Sequence, residues 1–192
     1  MNYLAHIYLS YENDQIKIGN FIADFVKGNN YKNFPEDIQK GIKLHRLIDS
    51  FTDKHPVVRK SKRRLHERYK HYDGVIIDIL MDHFLAKNWS FFSKQPLEKY
   101  ESDFIEVLEK NISVLPKKVI RILPYLKSQK WLSSYATISG ISKTLQGVNK
   151  RTKGISKMDL AITDLQEKYT DFEKDFFLFF TDLKKYVASL KE

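Results

Sequence analysis

Residues 74–89, GVIIDILMDHFLAKNW, restrict what this chain can fold into more than any other stretch. Val75, Ile76, Ile77, Ile79, Leu80, Met81, Phe84 and Leu85 leave it almost no polar side. A segment of this length that is apolar nearly all round reads as a helix buried at the centre of a fold. It nevertheless carries Asp78, Asp82 and His83. Carboxylates in such a setting are costly unless they are paired, hydrogen-bonded or bound to a cation. The fold must therefore bring something to Asp82 and His83.

The rest of the chain is read as helices around that one. Glycine and proline are few, hairpin dipeptides between alternating β-branched runs are absent, and apolar residues recur at steps of three and four. This predicts an all-α fold, a single-domain helical bundle spanning residues 1–192. Asn2 is expected to cap a short first helix. Residues 16–26 form a second, stopped by Gly28. Pro35, Pro56 and Pro96 each open a helix, with Glu36 and Asp37 at the positive dipole end of the first of these. Asp73 and Gly74 are expected to separate the basic helix at residues 56–72 from the central one. Pro124 should divide residues 116–135 into two pieces, and residues 140–154 should be a short helix followed by a loop. Met158, Ile162, Leu165, Tyr169, Phe172, Phe176, Phe179, Leu183, Val187 and Leu190 predict one long C-terminal amphipathic helix, its aromatic stripe belonging to the core.

Charge and composition narrow the class. The formal net charge of +9, from 33 Lys+Arg against 24 Asp+Glu, favours an acidic partner or serves as solvated surface. There is no cysteine, which excludes disulfides and thiolate metal ligands and fits a cytoplasmic setting. No apolar run reaches membrane-spanning length, and MNYLAHIYLS lacks the basic start and small-residue cleavage site of a signal peptide. No phosphate-binding glycine loop, nucleophile elbow or nucleic-acid recognition motif is present, so nucleic acid is not the expected partner.

Six polar residues stand out against apolar or helical surroundings: His6, Asp24, His45, Asp49, Asp82 and His83. His45 and Asp49 are four apart and share a helix face. Asp82 and His83 are adjacent and diverge by about 100°. Each alone is an ordinary helix residue. Together, imidazole and carboxylate without thiolate form a ligand set for Mn, Fe, Ni, Zn or Mg. Such a site serves phosphoester hydrolysis, which needs a nucleophile at neutral pH and charge cancelled on the transferred group. His55, His66 and His71 lie at or in the basic helix and are expected to face solvent.

These residues fall in blocks: NYLAH, GNFIADFVKGN, FPEDIQKGIKLHRLIDSFTDKHP and MDHFLAKNW, with weaker matches through YLKSQKWLSSY to the aromatic C-terminal stretch. Together they resemble the acyl carrier protein phosphodiesterases, over essentially the whole chain. The resemblance implies a distant relation to the all-helical HD phosphohydrolases and a metal-dependent hydrolase, with manganese favoured over magnesium or another divalent ion. It implies release of 4′-phosphopantetheine from holo acyl carrier protein. The family's blocks align with His6, with Asp24 in ADFV, with His45, Arg46 and Asp49 in HRLID, and with Asp82 and His83 in MDHF. The expected metal ligands are His6, Asp24, His45, Asp49 and Asp82, and the expected catalytic set is Asp24, His83 and Arg46. Lys27 stands where arginine also occurs in the family and keeps the charge without the bidentate fork. Lys27, Arg59, Lys62 and Arg63 are the expected contacts to phosphate and to the acidic carrier protein. The competing readings are a hydrolase of a nucleotide or other small phosphoester, and a basic helical binding protein without catalysis.

Overall fold

In a computed structural model that describes residues 2–191, the described residues form eleven α-helices and no strand. In chain order they are α1 (Tyr3–Tyr8), α2 (Asp14–Ile22), α3 (Glu36–Lys54), α4 (Pro56–Tyr69), α5 (Asp73–Lys87), α6 (Leu97–Lys110), α7 (Lys117–Ser128), α8 (Trp131–Ser134), α9 (Ile138–Arg151), α10 (Ala161–Glu167) and α11 (Tyr169–Ser189). Short 3-10 turns link several of them, among them Ala23–Phe25 after α2 and Gly28–Asn33 before α3. None of the described helices is long and apolar enough to cross a membrane.

The central helix is where the sequence puts it. Residues 79–86 of α5 are all buried, and α1, α4, α9 and α11 pack around it. Val75, in its first turn, is exposed. The inner stripe of α4 is Val58, Ser61, Leu65 and Tyr69. Phe172, Phe176, Phe179 and Phe180 of α11 are fully enclosed, so the aromatic stripe is core.

Several boundaries differ from the sequence reading. Asn2 occupies the N-cap position of α1, but its side chain donates to the Tyr135 hydroxyl. The break before α5 is made by Lys70, at φ 51°, and α5 begins at Asp73 itself. Pro124 lies within α7, on its exposed side, and costs the helix one hydrogen bond without ending it. The stop comes at Lys130, in the left-handed region at φ 44°. Residues 138–151 form fourteen residues of regular helix. The C-terminal stripe is divided at Lys168 into α10 and α11. Leu165 and Tyr169 remain four apart across that step, so periodicity does not register it.

Helices α2 and α3 cross at two glycines. A Cβ on Gly19 would stand 2.2 Å from the Ile38 carbonyl oxygen, and one on Gly41 would stand 2.3 Å from that of Ile16. Only glycine allows backbones this near. The close crossing lets the α3 side chains reach the backbone at the end of α2.

Candidate metal centre

Two helices and one short turn converge on a cluster of imidazoles and carboxylates. His6 comes from α1, Asp24 from the turn after α2, and His45 and Asp49 from one face of α3. His6 Nε2 lies 3.2 Å from Asp49 Oδ1, and His45 Nε2 lies 3.1 Å from Asp49 Oδ2. Asp24 Oδ1 is 3.3 Å from the same His45 nitrogen. The two rings stack with centroids 3.9 Å apart. Donor atoms of His6, His45 and Asp49 all lie within 4.8 Å of one another, close enough for one ion to bridge them.

Fixed acceptors decide which ring nitrogen faces the cluster. His45 Nδ1 is 2.8 Å from the carbonyl oxygen of Asn20, which can only accept, so Nδ1 carries the proton. His6 Nδ1 is 2.8 Å from the Asn20 side-chain oxygen. The amide orientation follows from Asn20 Nδ2, which donates to the His6 carbonyl and to Ser10 Oγ, each at 2.8 Å. One fully buried residue thus turns both rings so that each Nε2 points at Asp49. A histidine that donates its other nitrogen to a fixed acceptor is oriented for metal ligation.

Burial drives the His6 pKa down to about 4, the neighbouring His45 adding to the effect and Asp49 opposing it. Burial acts the same way on His45, but hydrogen bonds to Asp24 and Asp49 outweigh it and raise the pKa to about 9. Burial also opposes charge on Asp49, yet its bonds with His45 and His6 hold the carboxyl well below the usual range. Asp24 is lowered, chiefly by its hydrogen bond with His45. Both neighbouring carboxylates thus favour a proton on His45. Two imidazoles and two carboxylates suit manganese, iron, zinc or magnesium. The imidazoles are sealed, while the Asp24 and Asp49 side chains are 56% and 43% exposed. The donor set therefore opens to solvent on its carboxylate side.

The remaining expected site residues lie elsewhere. Asp82 is fully buried, and its carboxylate accepts from the backbone N–H groups of Leu4 at 2.7 Å and Ala5 at 3.3 Å. It caps the N-terminus of α1 from the central helix, and this answers the question its burial posed. Burial pushes its pKa up to about 7, the two amides opposing. His83 donates from Nδ1 to the Tyr135 carbonyl at 2.8 Å and accepts at Nε2 from the Tyr169 hydroxyl at 2.7 Å. Both members of the DH pair are thus engaged away from the His6–His45 cluster.

Arg46 donates to the carbonyls of Gly28 and Val26 and stacks over Tyr31, pinning the turn that follows Asp24. Lys27 is exposed at the head of that turn. Arg59 donates to the Asp53 carbonyl, Lys62 pairs with the Asp53 carboxylate at 2.9 Å, and Arg63 is exposed. His66 and His71 face solvent, but His55 is mostly enclosed between Phe51 and Phe179. Sequence reasoning missed the role of Asn20. Its signal was a lone amide in the apolar run GNFI.

The acyl carrier protein phosphodiesterase family model matches residues 1–183. An acyl carrier protein phosphodiesterase of Pectobacterium atrosepticum is 32% identical over 143 residues, 74% of each chain. Proteins of the same name from two Escherichia coli strains are 35% identical over 136 residues, 70% of each chain. No solved structure matches. With its blocks spread over nearly the whole length, the chain belongs to the acyl carrier protein phosphodiesterase family.

Proposed function

We propose that this chain hydrolyses the phosphodiester of holo acyl carrier protein, releasing 4′-phosphopantetheine and apo carrier protein, with a divalent ion at His6, Asp24, His45 and Asp49. The observation that carries this reading is the pair of imidazoles whose Nε2 atoms are both aimed at one carboxylate. Family membership supports the reaction class, and the donor chemistry supports manganese or a similar ion. Such an ion supplies charge that neutralises phosphate oxygens and makes a water more acidic.

The chain's own groups do the rest. Asn20 holds both rings in the ligating tautomer. Asp49 bridges the rings and keeps its negative charge throughout. Asp24, at the solvent-facing edge, stays ionised and accepts a proton from the attacking water. As the water oxygen bonds to phosphorus, the bond from phosphorus to the carrier's serine oxygen breaks. The serine oxygen takes up a proton from solvent. Arg46 keeps the turn after Asp24 in place.

The test is mass spectrometry of holo carrier protein incubated with the enzyme and manganese. The expected result is a mass loss equal to phosphopantetheine, abolished by Asp49→Ala. An unchanged carrier mass with manganese, magnesium, iron, nickel and zinc in turn overturns the reading.

A further inference from the structure

Positive charge is unevenly placed along this chain. Residues 110–158 contain eleven lysines and arginines and no aspartate or glutamate. Outside that stretch the 24 Asp+Glu slightly outnumber the remaining cations. The whole of the net charge therefore belongs to α7, α8, α9 and the turns around them. The basic helix α4 differs. Its Arg64 is bonded to buried Asp175, Lys60 lies 3.6 Å from the same carboxylate, and Arg68 pairs with Asp164 at 2.9 Å. Much of α4's charge is therefore paired with acids of α10 and α11.

The end of α9 and the turn after it present Lys150, Arg151, Lys153 and Lys157 to solvent. None of the four enters an ion pair among the described residues. The helix dipole accounts for cations in the last turn of α9, but not for Lys153 and Lys157 beyond it. The turn itself is firmly built. Thr152 Oγ1 donates to Ser156 Oγ at 2.7 Å, Ser156 Oγ donates to Asn149 Oδ1 at 2.9 Å, and Asn149 Nδ2 donates to Asp159 at 2.7 Å. Ser156 is buried beneath it. Lys153 and Lys157 are held in the left-handed region, at φ 54° and 51°, with Gly154 between them at φ 80°. Two lysines in that region are held against their preference by the network below.

The helices that lead into this turn lie on the side of the fold that carries His6: α8 packs on α1 through Tyr3, and α9 packs on α8 and α5. The Tyr3 ring packs on Phe21, three residues before Asp24, and on Trp131 of α8, at 5.4 and 4.8 Å. Its hydroxyl lies in the fields of both Asp24 and Arg151, which act on it in opposite senses.

We propose that residues 150–157 are the surface on which the acidic carrier protein docks. This rests on the functional reading above, in which the scissile bond joins phosphorus directly to a serine of the carrier. No long arm separates that bond from the carrier's body, so the body must come to the mouth of the centre. A rigid cationic platform there meets an acidic helical surface with its charge already unpaired and its backbone already ordered.

The test measures binding of apo carrier protein, which lacks the phosphodiester and so reports docking apart from turnover. Lys150→Glu/Arg151→Glu/Lys153→Glu is compared with the charge-matched Lys117→Glu/Lys118→Glu/Arg121→Glu on α7 and with Arg59→Glu/Arg63→Glu on α4. Circular dichroism of each variant checks that the helices remain. The platform variant is expected to weaken binding by about tenfold or more, and the α7 variant by less than about threefold. Equal losses in the two, a larger loss in the α4 variant, or no binding by the unaltered protein overturns the inference. So does loss of binding to a short RNA or to phosphatidylglycerol vesicles while carrier binding persists. Failure of the hydrolysis assay with docking intact strikes the functional reading alone.

Discussion

Asp24 and Asp49 favour a proton on His45 that a bound metal would have to displace. The His45 pKa is raised to about 9, whereas His6 sits near 4 and is already neutral at ordinary pH. Ion binding should therefore release one proton, from His45, and manganese affinity should rise about tenfold per pH unit between roughly pH 7 and 8.5. Titration calorimetry in buffers of different ionisation enthalpy checks both the slope and the proton count; a slope of two would mean both rings are charged. The metal-free protein responds in the opposite direction. The folded pKa of His45 is above its unfolded value of 6.5, so its contribution to stability is full below 6.5 and is lost as pH rises through about 9. Asn20 contacts no ion in this scheme, yet it fixes both rings. Asn20→Ala should weaken manganese binding by about 10- to 100-fold while leaving every ligand in place. Unaltered affinity in that variant would show that the rings are oriented by other means.

At the scale of elements, the first helix depends on the fifth. α1 has six residues, too few to persist alone, and its N–H groups are satisfied by a carboxylate 78 residues away in sequence. Asp82→Ala should cost about 1–3 kcal/mol in chemical denaturation, because two buried amides lose their acceptor. It should also weaken the metal centre, since α1 carries His6. Asp82→Asn keeps one acceptor and should retain most of the ion affinity; complete loss of metal with normal stability would restore Asp82 as a ligand. Glu101 acts similarly, capping α8 through the Leu132 and Ser133 amides.

These caps explain what was legible in the chain beforehand. Helix class, the buried centre and the proline-led starts follow from local pattern. The need to compensate Asp82 was also readable from its apolar setting. The nature of the compensation was not, because an acid that caps a distant helix and an acid that binds a metal pose the same desolvation problem. The His45–Asp49 spacing was visible and His6 and Asp24 stood out with it, but how the four meet depends on the Gly19–Gly41 crossing, which two isolated glycines do not announce. The division at Lys168 was invisible because the apolar step across it stays at four.

At the scale of the whole molecule, the uneven charge makes a kinetic prediction. Turnover of holo carrier protein should fall steeply with salt up to about 0.3 M, through kcat/KM and not kcat, as the field of the basic side is screened. Hydrolysis of a small chromogenic phosphodiester should change little over the same range. Steady-state kinetics with both substrates decides this, and parallel salt profiles would argue against electrostatic steering.

All four side chains of the candidate centre lie within the first 49 residues, on α1, the turn after α2, and α3. An ion held by these side chains would join parts of the opening quarter of the polypeptide to one another. The candidate centre and the later basic helices are thus carried by separate stretches of the sequence. Exchanging residues 110–158 with those of a relative should redirect the choice of client while the scissors stay unchanged.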